Sequence, residues 1–248
     1  MPVTVDLNSD LGEGAGTEAE IMPFITSANI ACGAHAGDER SMRATIRLAL
    51  ANGVAPGAHP GYRDPTNFGR PALDVPPGTL VDDIVRQIET LALIARSEGT
   101  SLAHVKAHGA LYNTAQRDVS VANAIVEAVK RAAPALILFV FPSSAVEHAA
   151  RAAGLRVARE GFIDRAYEPD GSLRSRTRPD ALVTDPGDAA AQALSFMKDG
   201  GVRAVDGSFL EQRVDTLCVH GDTPGAPAIL RSARAALVAA GIAVRRVG

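Results

Sequence analysis

The segment HVKAHGALYN, residues 104–113, places three ionisable side chains on a stretch that otherwise has the pattern of a β-strand. At the two-residue period of a strand, His104, Lys106 and His108 fall on one face, and small apolar residues fall on the other. Burying three such groups together is costly unless they serve a ligand or one another. Imidazoles transfer protons near neutral pH and a fixed ammonium stabilises negative charge, so this face predicts acid–base chemistry.

Other polar side chains occur at the carboxyl ends of further predicted strands, and their shared placement is a stronger signal than any single motif. In α/β barrels, the active site is built at this end from several different strands. A lone histidine before a proline, such as His59, often bonds only a loop carbonyl, but several histidines at strand ends favour a functional site. Besides His104, Lys106 and His108, the candidates are Asn8, Asp10, Glu13, Asn29, His35, His59, Asn113, Glu160, Asp164, Arg165, His220 and Asp222.

A metal site is an open alternative for part of this set. Asp10, His35, His59 and His108 could supply one carboxylate and three imidazoles, which is a ligand set for a catalytic zinc ion. Against this, Lys106 lies on the same strand face and would repel a dication. A divalent metal therefore stays possible but is not established by the sequence.

Short apolar segments alternate with longer amphipathic ones, which favours a parallel sheet with helical crossovers. Leu80, Ile84, Ile88 and Leu91 recur at steps of three and four residues, as in a helix with one apolar face. The predicted strands are 3–8, 27–32, 53–59, 102–108, 136–141, 156–162 and 215–221, and the predicted helices are 39–52, 80–99, 119–132, 144–153, 187–199 and 226–240.

The first predicted strand separates two fold classes, a closed barrel and an open doubly wound sheet. It places Val5 and Leu7 on one side and Asp6, Asn8 and Asp10 on the other. Central strands of an open sheet are usually apolar on both faces, because helices cover both. A polar inner face suits a barrel whose upper lumen holds the active site. We therefore predict a seven-stranded parallel β/α barrel of the TIM type, with residues 1–248 forming one domain.

Composition excludes several classes of partner. The 248 residues carry a net charge of -3 and no basic run, which argues against nucleic acid or an anionic membrane surface. The start of the chain lacks the pattern of a signal peptide, and no run of about 20 apolar residues occurs, so we expect a cytoplasmic protein. Cys32 and Cys218 have no paired spacing and are interpreted as small core residues.

Two segments, 60–78 and 163–186, are longer than ordinary connectors and predict lids or binding loops. The chain has no phosphate-binding loop of the GxxxxGKS or GxxxxGKT type, so nucleotide binding by this chain alone is poorly supported. Alanine-rich helix faces within 189–197 and 233–241 could pack on the barrel or on another protomer, which leaves a homo-oligomer possible.

Seven ordered motifs run from the first predicted strand to the last. They are DLNSDLGEG (6–14), ANIACGAHAGD (28–38), GAHPGYRD (57–64), FGR (68–70), HVKAHGALYN (104–113), EGFIDRAYEPDG (160–171) and CVHGDTP (218–224). Together these motifs resemble the LamB/YcsF family. Three positions depart from the family pattern: Ala34 replaces an aromatic residue, Pro71 replaces a second arginine after FGR, and Ala107 replaces the proline of HVKPHG.

The resemblance implies a barrel similar to glycoside hydrolase and polysaccharide deacetylase domains. It also implies ATP-dependent opening of the lactam 5-oxo-L-proline to L-glutamate, carried out with two partner subunits, B and C, that contribute to nucleotide handling. An unstrained lactam is a poor electrophile, so coupling to ATP would supply both driving force and a leaving group. In this scheme ATP is a co-substrate. The missing phosphate-binding loop is then expected, because the partner subunits contribute to nucleotide handling.

The same scheme assigns hypothetical roles to the candidate residues. Asp10 would activate water as general base, relayed by His35 or His59, while Lys106 and His108 would stabilise the oxyanion or departing phosphate. The substrate-binding set would comprise a carboxylate clamp at Arg70 or Arg165, ring-amide contacts at Asn8, Glu13, Asn29 and Asn113, and a second acid–base pair of His220 and Asp222.

Two other classes of function stay open at this point. The first is a metal-dependent amidase or deacetylase that works without partners, and the second is a non-catalytic component that binds a lactam or sugar. Fold analogy alone does not choose among the three classes.

Overall fold

The computed structural model describes residues 3–248 and contains a closed parallel β-barrel surrounded by helices. Seven strands close the barrel in the order β1-β2-β3-β4-β5-β6-β9, because β9 pairs with both β6 and β1. A short β10 extends the sheet beside the start of β1, and β7 and β8 form a separate antiparallel hairpin. The strands are β1 Thr4–Leu11, β2 Ser27–Ala31, β3 Ala55–His59, β4 His104–Lys106, β5 Ile137–Val140, β6 Val157–Phe162, β7 Gly201–Arg203, β8 Phe209–Glu211, β9 Thr216–Cys218 and β10 Ala243–Val244.

Helices follow most of the barrel strands and cover the outside of the sheet. The longest of them, α3, buries Leu80, Ile84, Ile88 and Leu91, which confirms the predicted apolar face. Within residues 3–248, every helix is too short or too polar to cross a membrane. The helices are α1 Glu18–Ile21, α2 Glu39–Ala51, α3 Pro77–Ser97, α4 Gly109–Thr114, α5 Val119–Ala132, α6 Ala145–Ala152, α7 Pro186–Lys198 and α8 Ala226–Ala239, with a 3₁₀ turn at Met22–Phe24.

The closed barrel confirms the predicted fold class, and the alternation along β1 shows why the pattern identified it. Leu7 is buried beneath the surrounding helices, whereas Asp6, Asn8 and Asp10 point into the lumen and bond to residues from other strands. A water-poor lumen accepts these groups only because each finds a polar partner inside it.

The alanine-rich faces pack within the chain. Helices α7 and α8 lie against each other, and their buried residues include Ala189, Ala193, Ala226 and Ala233. Small side chains allow two helices to approach closely while both also cover the barrel. These faces are therefore accounted for by the fold of a single chain.

The lower lumen is filled by a hydrogen-bonded network instead of by apolar side chains. Asp6 accepts hydrogen bonds from the hydroxyls of Thr26, Ser27 and Thr216, and Thr216 accepts one from Asn8. Burial raises the pKa of Asp6 to about 6 despite these donors. This network supports the floor of the barrel below the candidate site.

Gly57 on β3 gives a direct test of how tightly this floor is packed. A Cβ atom at this position would overlap the imidazole ring of His104, which stacks on Phe139. We expect Gly57→Ala to lower the free energy of unfolding by about 3 kcal/mol, because overpacking forces a rigid buried ring to move. Urea unfolding measures the change, with Gly78→Ala as matched control, since a Cβ there meets nothing within 4 Å. Equal stability of the two variants would contradict the packing described.

Candidate active site

A cavity of about 580 Å³ opens at the carboxyl ends of the barrel strands, where the sequence predicted the site. Its floor includes Asp10, Lys106 and Phe162 from the strands, and the two long loops supply much of its wall. The loop 60–78 contributes Phe68 and Arg70, and the loop 163–186 contributes Arg165 and residues 172–177. Both segments therefore shape the cavity, and their role as lids or binding loops stays a prediction.

Lys106 forms the centre of the cavity floor. Its Nζ lies 2.8 Å from Asp10 Oδ1, 3.0 Å from Glu160 Oε1 and 3.1 Å from Cys218 Sγ, and the residue is only 2% exposed. Burial alone would lower the pKa of Lys106, but Asp10, Cys218 and Glu160 raise it well above its ordinary value. The side chain is thus a fixed cation in a site largely shielded from water, where charge interactions are strong.

Asp10 is oriented from three sides. Besides Lys106, it accepts a hydrogen bond from Asn29 Nδ2 at 2.8 Å, and its Oδ2 lies 3.4 Å from His59 Nε2. Burial opposes ionisation, yet the interactions with His59 and Lys106 hold the pKa of Asp10 well below its usual value. Asp10 is therefore an ionised carboxylate held in one position. Asn29 in turn accepts from His104 at 2.7 Å, which links this carboxylate to the lower lumen.

Four side chains from four successive strand ends form a second cluster beside Asp10. Glu13 Oε1 lies 3.1 Å from His35 Nε2, 3.1 Å from His108 Nδ1 and 3.6 Å from His59 Nε2. His35 and His108 stack with their ring centroids 3.7 Å apart. Burial lowers the pKa of His35 to about 4, so this imidazole is neutral near pH 7. Ligand atoms of these four residues lie close enough together to hold one metal ion.

His220 lines the cavity away from the Glu13 cluster, and the buried carboxylate of Asp164 holds its ring in place. Its Nδ1 lies 2.9 Å from Asp164 Oδ2, and Asp164 also accepts from the backbone N–H of His220 and the hydroxyl of Thr223. Although burial opposes it, His220 and Thr223 lower the pKa of Asp164 to about 2. The predicted pairing of His220 with Asp222 is wrong, because Asp222 points to the cavity mouth and pairs with Arg70 and Arg176.

Arginines from both long loops surround the cavity mouth. Arg165 is almost fully buried, and its Nε and Nη2 donate to the carbonyls of Ala181 and Arg174, which fixes the guanidinium plane. Arg70 instead pairs with Asp222 and is largely exposed. Both candidates for the predicted carboxylate clamp line the cavity, but Arg165 is the more rigid of the two.

Nine predicted site residues line this cavity, and four lie behind its surface. Asn29, His35 and His59 are buried behind the lining and contact groups that do reach the cavity, whereas Asn8 contacts Asn29 and Thr216, which lie behind the lining as well. Their predicted direct roles stay predictions, and the contacts favour a positioning role. The nine that line the cavity are Asp10, Glu13, Arg70, Lys106, His108, Asn113, Arg165, His220 and Asp222.

Three residues that contact Lys106 or His220, namely Glu160, Asp164 and Cys218, receive no role from the sequence. Glu160 and Asp164 stand out at the end of the sixth predicted strand, and their period-two spacing along β6 and its continuation is a usable signal for a shared face. Cys218 is buried as predicted, but it also contacts Lys106, which no sequence pattern indicates. Ala107, one of the departures from the family pattern, lines the cavity as well.

The buried His104 predicts a specific acid dependence of stability. Burial lowers its pKa to about 3, so below pH 6.5 the unfolded chain takes up a proton that the folded chain does not. Stability is therefore lost as the pH falls from about 6.5 towards 3, by about 1.4 kcal/mol per pH unit for one proton.

We expect His104→Gln to reduce this pH slope by one proton, measured by urea unfolding between pH 4 and 7 and analysed by linkage. His148→Gln on α6 is the matched control, since His148 is exposed and its removal should leave the slope unchanged. An unchanged slope in His104→Gln would contradict the neutral buried state.

The fold and the site together define a class of protein. A closed parallel β/α barrel with ionisable groups from several strands at its carboxyl end is the architecture of many hydrolases. The Streptomyces lividans family 4 carbohydrate esterase shares this fold with a TM-score of 0.53 over 99% of this chain and 93% of that one, at 8% identity. At that identity the likeness shows the fold alone.

The chain belongs to the LamB/YcsF family, whose model matches residues 5–248. A curated relative from Symbiobacterium thermophilum, named as the A subunit of 5-oxoprolinase, is 49% identical over 98% of this chain and 95% of its own length. The crystal structure of a lactam utilization protein from Thermus thermophilus superposes with a TM-score of 0.92 at 44% identity, covering 99% of this chain and all of that one.

Proposed function

We propose that this chain is the A component of an ATP-dependent 5-oxoprolinase and that its barrel opens the lactam of 5-oxo-L-proline to L-glutamate. The observation that carries this proposal is Lys106, a buried cation held between Asp10 and Glu160 on the cavity floor. Activating and opening the amide places negative charge on the carbonyl oxygen or on the phosphoryl group that this oxygen receives from ATP, and a fixed cation in a dry site stabilises such charge by several kcal/mol. The names of the full-length relatives point to the same substrate class.

ATP enters the scheme as co-substrate. Transfer of its terminal phosphoryl group to the lactam oxygen turns that oxygen into a leaving group and makes the ring carbon electrophilic. Water then adds to this carbon, the ring C–N bond breaks as the nitrogen takes a proton, and an acyl phosphate forms. A second water releases phosphate and leaves L-glutamate, so one ATP and two waters are consumed for each lactam opened.

The proton transfers are assigned to two pairs of side chains. Asp10 would accept the proton from the attacking water, and His59, whose Nε2 lies 3.4 Å from Asp10 Oδ2, would hold that carboxylate in position. His35 is less suited to this positioning role, because its Nε2 is directed at Glu13. His220, held by Asp164, would donate a proton to the ring nitrogen, since Asp164 fixes one imidazole nitrogen and leaves the other for the substrate.

Substrate binding is assigned to the cavity wall. Arg165 would bind the lactam carboxylate, because its guanidinium is already fixed by backbone carbonyls and loses little freedom on binding. Asn113 lines the same cavity and would hydrogen-bond the ring amide. His108 lines the cavity too, but its Nε2 already donates to the carbonyl of Phe68, so contact with the oxyanion or the departing phosphate is assigned to Lys106.

Partner subunits B and C would handle the nucleotide. The sequence has no phosphate-binding loop of the common type, so ATP binding by this chain alone is not required by the proposal. The arginines at the cavity mouth would receive the phosphorylated ring, because guanidinium groups bind phosphate oxygens well.

Reconstitution tests this function. Glutamate release from 5-oxo-L-proline and ATP is measured with the purified chain alone, with subunits B and C alone, and with all three together. We expect glutamate only from the complete mixture. Equal release by B and C without this chain would contradict the proposal.

The Glu13 cluster favours a second candidate function, a metal-dependent amidase that needs no partner. One carboxylate and three imidazoles are a ligand set used by hydrolytic zinc sites. This alternative predicts amide hydrolysis by the chain alone that a chelator abolishes, and the 5-oxoprolinase proposal predicts no turnover without partners.

A further inference from the structure

The histidine cluster consists of Glu13, His35, His59 and His108. Several hydrogen-bond acceptor atoms face one another in it, and one proton cannot satisfy all of these contacts. His59 Nδ1 donates to the carbonyl oxygen of Lys106 at 2.8 Å, so its Nε2 carries a lone pair in the neutral ring. His108 Nε2 donates to the carbonyl of Phe68 at 2.9 Å, so its Nδ1 also carries a lone pair.

These two lone pairs face each other. His59 Nε2 and His108 Nδ1 are 3.0 Å apart, and both are directed at Glu13 Oε1, a third acceptor. Acceptors do not attract one another, and a single proton can bridge only one of the contacts among them. A cation at the point where the three meet would satisfy all of them.

The size of the cluster fits a small transition-metal ion. The ligand atoms are separated by 3.0 Å between His59 and His108, and by 3.1, 3.1 and 3.6 Å from Glu13 to His35, His108 and His59. Bonds of 2.0–2.1 Å in a tetrahedron give ligand–ligand distances of about 3.3–3.4 Å. Small adjustments of Glu13, His59 and His108 would bring their atoms to zinc-binding distances, whereas His35, whose ring stacks parallel to that of His108, would have to tilt out of the stack to join them.

The surroundings of the cluster also match those of a metal site. Metal-binding histidines commonly donate their second N–H to a backbone carbonyl, as His59 and His108 do here. Lys106, which argues against a metal when the sequence alone is considered, has its Nζ paired with the carboxylates of Asp10 and Glu160. Asp10 lies next to His59, so its negative charge would offset the repulsion between Lys106 and a cation bound in the cluster.

A second group of potential ligands provides a contrast. Asp10, Cys218 and His220 also bring one donor atom each within 4.8 Å of the others. Lys106 Nζ already contacts two of these three, at 2.8 Å and 3.1 Å, so an ammonium ion occupies that position. Only the histidine cluster leaves converging lone pairs without a cation among the described residues.

We propose that the histidine cluster is a binding site for one divalent zinc ion, with Glu13, His59 and His108 as its central ligands and His35 as the fourth. Imidazole and carboxylate donors suit zinc better than the hard cations magnesium and calcium. Glu13 and His108 also line the cavity, so the ion would lie within reach of a bound substrate.

Zinc binding is tested on the full chain without lactam, ATP or partners, so that its outcome is independent of the proposed lactam opening. Chain stripped with a chelator is titrated with zinc chloride by calorimetry, and cobalt(II) is added in parallel to record its visible absorption. We expect one zinc per chain and a tetrahedral cobalt spectrum. No uptake of either ion by the wild-type chain would overturn the proposal.

Variants locate the ion. His59→Gln and Glu13→Gln should each weaken zinc binding by about 100-fold, as expected when a ligand is lost. The matched control His104→Gln removes a buried histidine outside the cluster, so its affinity should stay within about threefold of wild type. Affinity unchanged in both ligand variants would overturn the site. If the two ligand variants do not fold, the thermal stability of the wild type and of His104→Gln is measured with and without zinc instead. Zinc should raise the Tm of both proteins, and no change in either Tm would equally overturn the proposal.

Discussion

Replacing Lys106 with methionine is expected to lower lactam turnover by the reconstituted complex about 10³-fold. Methionine keeps most of the side-chain volume but removes the cation that would face the developing oxyanion, and losing one such electrostatic contact typically costs 10²- to 10³-fold. Steady-state glutamate release measures the effect. The expected loss falls on kcat, because the substrate carboxylate is proposed to bind elsewhere, at Arg165.

The stability of this variant needs a separate measurement, since Lys106 also forms ion pairs with two buried carboxylates. Methionine leaves Asp10 and Glu160 without their shared cation, and breaking a buried ion pair costs about 3–5 kcal/mol. The double variant Lys106→Met/Glu160→Gln should regain much of this stability without regaining activity.

Lys130→Met on the exposed end of α5 is the matched control for the lysine prediction. Activity and stability should both stay near wild type, because this side chain is in solvent. Turnover by a folded Lys106→Met protein within tenfold of this control would exclude the electrostatic role of Lys106.

Asp164→Asn is expected to lower kcat about 100-fold or more. The asparagine has nearly the same shape but loses the charge that orients His220 and stabilises its protonated form, and such changes in carboxylate–histidine pairs reduce catalysis strongly. Initial rates at saturating substrate, together with the pH dependence of kcat, measure the effect. A change confined to stability would leave the pH profile unaltered.

Asp222→Asn is the matched control for this prediction, since the sequence suggests Asp222 as the partner of His220. Asp222 pairs with Arg70 and Arg176 at the cavity mouth, so its loss should change KM more than kcat. Should Asp222→Asn lose kcat as strongly as Asp164→Asn, the assignment of the acid–base pair would be wrong.

The fold class was predictable because the alternation along β1 is unusually clear. Asp6 and Asn8 alternate with Val5 and Leu7, and Asp10 continues the polar face. A strand with one polar face fits a lumen better than an open sheet covered on both sides. Short elements were not predicted: the hairpin β7–β8 and the strand β10 have too few residues for a period to show.

The sequence predicted which residues lie at the cavity better than it predicted which of them contact one another. Residues at strand ends meet at one mouth of a barrel whatever the loops do, so Asp10, Lys106 and His108 could be brought together from spacing alone. Which carboxylate contacts which histidine depends on loop conformation after β6 and β9, which leave no periodic signal. For that reason the sequence pairs His220 with Asp222, two residues away, instead of with Asp164 on the neighbouring strand end.

The most direct test of the account replaces Asp10 with asparagine in this chain and follows two products in the reconstituted complex, ADP and glutamate. If the barrel activates the attacking water, glutamate release should fall at least about 100-fold while the partner subunits still form ADP when 5-oxo-L-proline is present. Glutamate release at the wild-type rate by folded Asp10→Asn protein would contradict the assignment of hydrolysis to this cavity.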